Sequence, residues 1–170
     1  MSDLRIAGTV GESITDGPGF RFTIFTQGCP HHCEGCHNPQ THDFNGGEVV
    51  DTDVLWEKIR KNILLSGVTL SGGEPFEQAG ALLDLARKVK GIGLELAAYS
   101  GYTYEQILSA GGDKFELLKL CDVLVDGRFV LAEKSLMLRF RGSKNQRLID
   151  VQKSLKNGAV CEIHDGRWQD

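Results

Sequence analysis

The pattern of apolar and polar positions along the chain predicts helices separated by short strands. Apolar residues recur with the 3.6-residue period of an amphipathic helix most clearly over residues 77–89. A second helix is predicted over residues 52–64, with Thr52 as its cap and Ile63 on its apolar face. Weaker helical patterns occupy residues 104–110, 115–120 and 151–156.

Between these helices lie runs that are typical of strands, because they are rich in β-branched or aromatic residues or alternate in polarity. They occupy residues 4–10, 20–26, 67–70, 92–98, 122–126 and 137–140. The repeated succession of strand, loop and helix indicates βαβ units and a mostly parallel sheet. The predicted fold class is therefore α/β, an open partial (β/α) barrel of about five or six mostly parallel strands.

Three loops follow predicted strands: residues 27–47, 71–75 and 100–103. The first of them combines Gly, Pro, His, Asn and Cys over a length that is usually functional in compact domains. Because the carboxyl ends of parallel strands share one edge of the sheet, where α/β proteins place their sites, we expect the three loops to meet there.

Length and composition narrow the range of functions. The chain has 170 residues, is 41% apolar, and carries 19 basic against 23 acidic residues, a formal net charge of −4. We expect one domain over residues 1–170, with a short tail at residues 158–170 whose order the sequence leaves open. A closed eight-stranded barrel needs roughly 250 residues, and the mild acidity argues against nucleic-acid binding. Because no window approaches ~20 apolar residues and no signal peptide is present, we expect a cytoplasmic protein without a membrane partner.

Three of the five cysteines lie within eight residues, with the spacing Cys29-x3-Cys33-x2-Cys36. In a reducing compartment such clustering indicates a metal site or redox chemistry rather than a disulfide. A structural zinc site needs a fourth ligand, which a nearby histidine would have to supply, so a zinc-binding interaction module is one alternative. Histidines in polar loops are more often solvated than ligating; those near the triplet are His31, His32, His37 and His42.

An iron–sulfur cluster fits the cysteine triplet better than zinc does. A cubane normally takes four thiolates, so three thiolates hold three irons and leave one open. An open metal position is typical of catalytic sites, and an open iron can bind a chelating substrate. Gly72 and Gly73 would let the backbone approach such a ligand closely, and Glu74 would offer a carboxylate to an ammonium group.

The cysteine triplet after one predicted strand, followed by Gly-Gly-Glu-Pro at residues 72–75 after the next, resembles the radical S-adenosylmethionine superfamily. The resemblance implies that Cys29, Cys33 and Cys36 hold a 4Fe-4S cluster with one iron that no cysteine ligates. It implies that the amino and carboxylate groups of S-adenosylmethionine chelate that iron. It also implies that the Gly-Gly-Glu turn contacts the methionyl amino group.

The wider resemblance is to the activating enzymes of glycyl-radical proteins, most closely to those that serve anaerobic ribonucleoside-triphosphate reductase. It implies an oxidoreductase that cleaves S-adenosylmethionine reductively and uses the 5′-deoxyadenosyl radical to make a glycyl radical on the reductase large subunit. Reduced flavodoxin or a similar protein is the implied electron donor, and a homodimer is left open. The stretches that carry the resemblance are residues 13–21, 26–30, 36–39, 99–105, 122–129 and 139–147.

Five further residues are expected to contact the cofactor. One directly follows the third cysteine; many superfamily members carry an aromatic residue near adenine just before that cysteine, and here Gly35 stands at that position instead. Two end or follow predicted strands, and two belong to the Arg-Gly-Ser-Lys-Asn-Gln-Arg string within the basic residues 134–156. In chain order they are His37, Ser100, Asp126, Asn145 and Arg147.

Two alternatives belong to the same chemical class. One is activation of another glycyl-radical enzyme, such as pyruvate formate-lyase. The other is a small-molecule radical enzyme, such as the deazaguanine-forming carboxylate synthase. The zinc-binding module remains the alternative from a different class. Cys121 is expected to be a buried apolar residue, and Cys161 and Trp168 receive no role.

Overall fold

The computed structural model describes residues 2–164 and 166–169, which fold around one sheet of seven strands. All of the expected strands except the one at residues 137–140 are present, and two short strands are added. In chain order the strands are β1 (Asp3–Ser13), β2 (Arg21–Thr26), β3 (Glu48–Asp51), β4 (Gly67–Gly72), β5 (Glu95–Tyr99), β6 (Val123–Asp126) and β7 (Arg147–Asp150).

The strands follow the spatial order β3-β1-β2-β4-β5-β6-β7. Strands β2, β4, β5 and β6 pair in parallel, whereas β1, β3 and β7 join in antiparallel fashion at the two sides. Because β3 and β7 lie at opposite edges and do not pair, the sheet stays open. The predicted open α/β arrangement with a mostly parallel centre is confirmed.

Helices follow the parallel strands, as a βαβ arrangement requires. Polar side chains start several of them: Asp51 Oδ1 accepts a hydrogen bond from Asp53 N at 2.9 Å, and Thr103 and Gln106 form a reciprocal capping box. The helices are α1 (Thr52–Lys61), α2 (Ala79–Gly91), α3 (Tyr104–Ala110), α4 (Gly112–Leu120) and α5 (Val151–Asn157), with 3₁₀ turns at Pro39–Thr41, Pro75–Gln78 and Leu131–Glu133.

The two faces of the sheet are covered unequally. Along β5, Leu96 and Ala98 belong to a large core that includes the buried sides of the helices, whereas Ala97 and Tyr99 point to the opposite face. On that opposite face the described residues form only a small cluster. Its buried members are Ala97, Val123, Val125, Leu148, Ile163 and Trp168. One face of the sheet is therefore left partly free for a site.

The prediction of a strand at residues 137–140 is wrong. This segment forms turns and bends; Met137 is 87% exposed and the preceding Leu136 is 91% exposed. The strand that pairs with β6 is β7 instead, from Asp126↔Arg147 to Val123↔Asp150. Strand β3 also raises the count above the expected five or six. It has only four residues and two of them are acidic, so its two valines give too short a strand signal, and pairing with β1 makes it a strand.

The expected helix over residues 52–64 is shorter than its apolar pattern suggested. It ends at Lys61, its cap is Asp51 rather than Thr52, and Ile63 is 94% exposed. Asn62 has extended backbone angles, and its side-chain oxygen accepts a hydrogen bond from Leu64 N at 3.0 Å. An asparagine that bonds its own following backbone competes with helix formation, which explains the early end.

Cys121 is fully buried, as expected, and burial raises the pKa of its thiol to about 12. No helix within residues 2–164 or 166–169 is long and apolar enough to span a membrane.

Candidate functional site

The three clustered cysteines lie in the long loop between β2 and β3. Cys29 is buried, and the other two are partly exposed. All three line one cavity of about 620 Å³ at the carboxyl ends of β2, β4 and β5. The three loops that were expected to meet therefore do meet. Predicted site residues that line this cavity are Cys29, Cys33, Cys36, His37, Gly72, Gly73 and Ser100.

Backbone hydrogen bonds hold the start and the end of the cysteine loop together. Gly28 N donates to Thr41 O at 2.7 Å, and Cys29 N donates to His42 O at 3.2 Å. The Gln27 side chain adds bonds from Nε2 to the carbonyl oxygens of Gln40 and Asp43, at 3.0 and 2.7 Å. The loop is thus closed on itself, which positions the thiols before any ligand binds.

The donor set fits an iron–sulfur cluster. Burial raises the pKa of the Cys29 thiol to about 11, so metal binding there must displace a proton. Within the described part of the chain, no three His, Cys, Asp or Glu side chains converge as the ligands of a single metal ion do. A cluster does not need such convergence, because each thiolate binds a different iron. A zinc site would need such convergence, because all of its ligands bind one ion.

Two glycines join the end of β4 to the cysteine loop. Gly72 has a φ of +96°, and a Cβ there would lie 2.4 Å from Thr26 N. A Cβ on Gly73 would lie 2.5 Å from Gly28 O. Hydrogen bonds from Gly73 N to Thr26 O and from Glu74 N to Gly28 O, at 2.8 and 2.9 Å, complete the junction. The sequence predicted that the backbone at Gly72 and Gly73 approaches a ligand closely. In the structure this backbone closely approaches the protein's own backbone, at Thr26 and Gly28.

We expect Gly72→Ala to lower the free energy of unfolding by more than about 1 kcal/mol, because the new Cβ meets backbone and the φ is unfavourable. The matched control is Gly91→Ala in α2, where the new Cβ has no heavy atom within 4 Å. Urea unfolding of both variants checks this. A Gly72→Ala midpoint equal to that of Gly91→Ala would contradict the described turn.

The carboxylate of Glu74 is fully buried beneath the cavity. It accepts hydrogen bonds from Ser100 Oγ at 2.9 Å, Gly101 N at 2.8 Å and Phe76 N at 3.1 Å. It also pairs with His31 Nε2 at 2.6 Å. Glu74 therefore connects the cysteine loop to the end of β5, and its predicted contact with a methionyl amino group stays a prediction. The expectation that loop histidines are solvated is wrong for His31, which is buried because of this pair.

Three other predicted residues lie around a neighbouring cavity of about 510 Å³. This second cavity shares Gly101 and Gly127 with the first. The residues are Asp126, Asn145 and Arg147. These three residues line a different cavity from the cysteines, and their role in cofactor binding stays a prediction.

Arg147 is held by two carboxylates at this second cavity. Its Nε and Nη2 donate to Asp126 Oδ1 and Oδ2 at 3.0 and 2.5 Å, and Nη2 donates to Glu105 Oε1 at 2.5 Å. These hydrogen bonds raise the pKa of Arg147, first through Asp126 and then through Glu105. Asp126 also accepts from Tyr104 N at 2.8 Å. Asn145 donates from Nδ2 to Arg128 O at 2.8 Å. All three predicted residues therefore already have protein partners.

Sequence reasoning missed several residues of the cysteine cavity. Phe129, whose ring centroid is 5.0 Å from that of exposed His37, comes from the segment after β6. Arg141 and Gln146 come from the same segment. Arg141 belongs to the basic string that drew attention to Arg147, and nothing in the string itself distinguishes the two arginines. Only the fold assigns them to different cavities.

Comparison with known proteins agrees with the iron–sulfur site that the geometry indicates. A family model described as a 4Fe-4S single cluster domain matches residues 15–149. The anaerobic ribonucleoside-triphosphate reductase-activating protein of Escherichia coli K12 is 32% identical over 141 residues, covering 78% of this chain and 90% of the relative. The proteins of that name from Vibrio cholerae and Enterobacteria phage T4 are each 33% identical, covering 78% and 79% of this chain and 89% and 86% of the relatives. Among solved structures, QueE from Escherichia coli matches 73% of this chain and 71% of its own, with a TM-score of 0.48 and 18% identity.

The match to the cluster domain defines the class, an iron–sulfur protein. With relatives at this identity and coverage, the chain belongs to the family of anaerobic ribonucleoside-triphosphate reductase-activating proteins. The predicted enzyme class, a radical S-adenosylmethionine activase with an iron–sulfur cluster, is confirmed by this membership.

Proposed function

We propose that this protein activates anaerobic ribonucleoside-triphosphate reductase by generating a glycyl radical on its large subunit. The observation that carries the proposal is the shared cavity: the three cysteine thiols, the Gly-Gly turn and the end of β5 face one space in a chain of this family. Its volume, about 620 Å³, is within the range of small-molecule sites.

The chain's own residues have defined tasks in this proposal. Cys29, Cys33 and Cys36 would hold three irons of a 4Fe-4S cluster, leaving the fourth iron to S-adenosylmethionine. When bound, the cluster supplies the electron that splits the sulfonium into methionine and a 5′-deoxyadenosyl radical, which takes a hydrogen atom from glycine. The closed cysteine loop fixes the thiols, and Gly72 and Gly73 let the end of β4 pack directly against that loop.

A protein substrate suits the open side of the sheet. A small metabolite favours an enclosed pocket, whereas a glycine-bearing segment of a partner has to reach the cluster from outside. On the cavity face that approach runs past residues 128–146, of which Phe129, Arg141 and Gln146 line the cavity. The proposal includes reduced flavodoxin as electron donor and leaves a homodimer open. It also includes a cytoplasmic location, which the five free cysteines support.

The test is anaerobic reconstitution with iron and sulfide, followed by EPR of the reduced protein with and without S-adenosylmethionine. We expect a cubane signal that changes shape when the cofactor is added. With reductase large subunit and reduced flavodoxin present, we then expect a glycyl-radical signal. The matched control is a large subunit whose radical glycine is replaced by alanine.

Two results would contradict the proposal. A cluster signal that is indifferent to S-adenosylmethionine would remove the radical chemistry. A glycyl radical that forms on pyruvate formate-lyase but not on the reductase would leave the chemistry and change the partner.

A further inference from the structure

The segment between β6 and β7, residues 128–146, carries an excess of positive charge. It has five of the 19 basic residues of the chain and one of the 23 acidic residues, Glu133, although the whole protein has a net charge of −4. Charges of both signs are usually interspersed on a protein surface, and a local excess of one sign attracts partners of the other sign. The segment therefore presents a positive area on an acidic protein.

Two of these cations lie side by side on the outside of the segment. Lys134 forms an isolated antiparallel bridge with Ser143, and Lys144 N donates to Glu133 O at 3.0 Å. Both lysines are exposed, and in the described part of the chain neither ammonium group has a hydrogen bond or an ion pair. Neither lysine lines the cysteine cavity or the second cavity. Their charges therefore face solvent and can attract a partner.

The positive area borders the cysteine loop. Leu131 lies against Gly35, which stands between the second and third cysteines: a Cβ on Gly35 would be 2.9 Å from Leu131 Cδ1. The 3₁₀ turn that starts at Leu131 ends directly before Lys134, whose backbone N donates to Leu131 O at 3.1 Å. One short turn thus connects the contact with the cysteine loop to the first of the two lysines.

The cysteine loop is open to solvent beside this area. Cys33 and Cys36 are partly exposed, and Glu34 and Gly35 between them are exposed. An electron can therefore reach these thiols from a protein that stays outside the cavity. The glycine of the reductase, by contrast, has to enter the cavity. Of the two partners in the proposed function, the electron donor is the one that a charged area outside the cavity suits.

We propose that Lys134 and Lys144 form the docking surface for an acidic one-electron carrier protein such as flavodoxin. The proposal rests on the proposed function, which supplies the cluster and the need for a donor. One electron passes from the reduced carrier, which is thereby oxidised, to the cluster, and no bond forms or breaks. Interfaces between redox partners are small, and charge steering sets how fast the partners meet. Leu136 and Met137, exposed in the same loop, add apolar contact.

The test measures reduction of the cluster-loaded protein by stopped flow, without oxygen and without S-adenosylmethionine. The probe is an acidic flavodoxin in its fully reduced form, at ionic strengths from about 0.02 to about 0.5 M. Lys134→Gln/Lys144→Gln removes both charges, and Lys134→Arg/Lys144→Arg keeps them. The matched control is Lys58→Gln/Lys153→Gln, which removes two exposed lysines from α1 and α5.

Two further measurements separate docking from other effects. Photoreduction with deazariboflavin, an uncharged small molecule, reports reduction of the cluster without a docked protein. Calorimetric titration with oxidised flavodoxin reports binding without electron transfer. Cluster content and the thermal unfolding midpoint are measured for each variant, so that a loss of fold or of cluster is recognised.

At low salt we expect flavodoxin to reduce Lys134→Gln/Lys144→Gln about 5- to 20-fold more slowly than wild type, and to bind it correspondingly more weakly. The difference should shrink to within about twofold at the highest salt, because ions screen exposed charges. Photoreduction should be unchanged. The arginine variant and the helix control should both match wild type.

Wild-type rates and affinity in Lys134→Gln/Lys144→Gln, or equal slowing in the helix control, would overturn the inference and leave the proposed function intact. The inference is also overturned if photoreduced Lys134→Gln/Lys144→Gln makes the glycyl radical more slowly while flavodoxin reduces it normally, because the surface then serves the reductase. If photoreduced wild type makes no glycyl radical, the proposed function fails, and the flavodoxin titrations still decide the docking surface.

Discussion

Cys33→Ala is expected to lose the iron–sulfur cluster and to keep its fold. Cys33 is partly exposed, and the hydrogen bond that its residue accepts from Cys36 N, at 3.2 Å, uses the backbone oxygen, which alanine retains. With two thiolates left, the loop cannot hold three irons. We expect iron and sulfide after reconstitution to fall to the background of untreated protein. The free energy of unfolding of the apoprotein should change by less than about 0.5 kcal/mol.

Iron and sulfide analysis, EPR and urea unfolding of the apoprotein test these expectations. Cys161→Ala is the control, because it removes a partly exposed thiol that does not line the cavity. It should assemble a full cluster. Full cluster occupancy in Cys33→Ala would refute the ligand assignment. Loss of cluster in both variants would point to a general effect of removing a thiol.

Glu74→Ala is expected to lower both the free energy of unfolding and the affinity for S-adenosylmethionine. The buried carboxylate satisfies four donors, so alanine would leave His31 Nε2, Ser100 Oγ and two backbone N–H groups without an acceptor. Removing one member of such a buried pair costs about 3–5 kcal/mol of unfolding free energy. Binding of S-adenosylmethionine should also weaken, because the cysteine loop and the end of β5 lose their common anchor.

Urea unfolding and calorimetric titration of the cluster-loaded protein measure the two effects. Glu77→Ala is the matched control, since Glu77 lies in the same 3₁₀ turn but is exposed, with Tyr102 and Lys114 as partners. Its unfolding free energy should change by about 1 kcal/mol or less. If a folded Glu74→Ala protein binds S-adenosylmethionine with unaltered affinity, Glu74 has no role at the cofactor site. An unaltered midpoint would mean that the carboxylate is not anchored as described.

The centre of the sheet could be predicted from sequence because its strands are buried on both faces. β2 and β6 are short runs of β-branched and apolar residues, and no competing period is present. The edges could not be predicted so well. β3 becomes a strand only through its pairing with β1, and residues 137–140 have strand-like composition but no strand beside them. Edge strands depend on neighbours, which a local pattern does not contain.

In the candidate site, too, the sequence predicts some residues and not others. The spacing of Cys29, Cys33 and Cys36 is local, so the sequence alone predicts their shared role. The pair of His31 with Glu74 joins positions 43 apart, and the polar surroundings of His31 suggested a solvated side chain instead. The two arginines of one string differ in the cavity they face and in their partners, since Arg147 pairs with Asp126 and Glu105. Which donors remain unsatisfied is a property of tertiary packing and not of sequence spacing.

The unequal cover of the sheet has a consequence for the motions of the molecule. On the helical face, opening any part of the core exposes the large apolar cluster to water, so those segments separate only with global unfolding. On the cavity face, residues 128–146 are held mainly by polar contacts and by a small apolar cluster. That segment can detach at a fraction of the global cost. A partner chain can therefore gain entry through a local fluctuation while the strands that carry the thiols and the glycine turn stay in register.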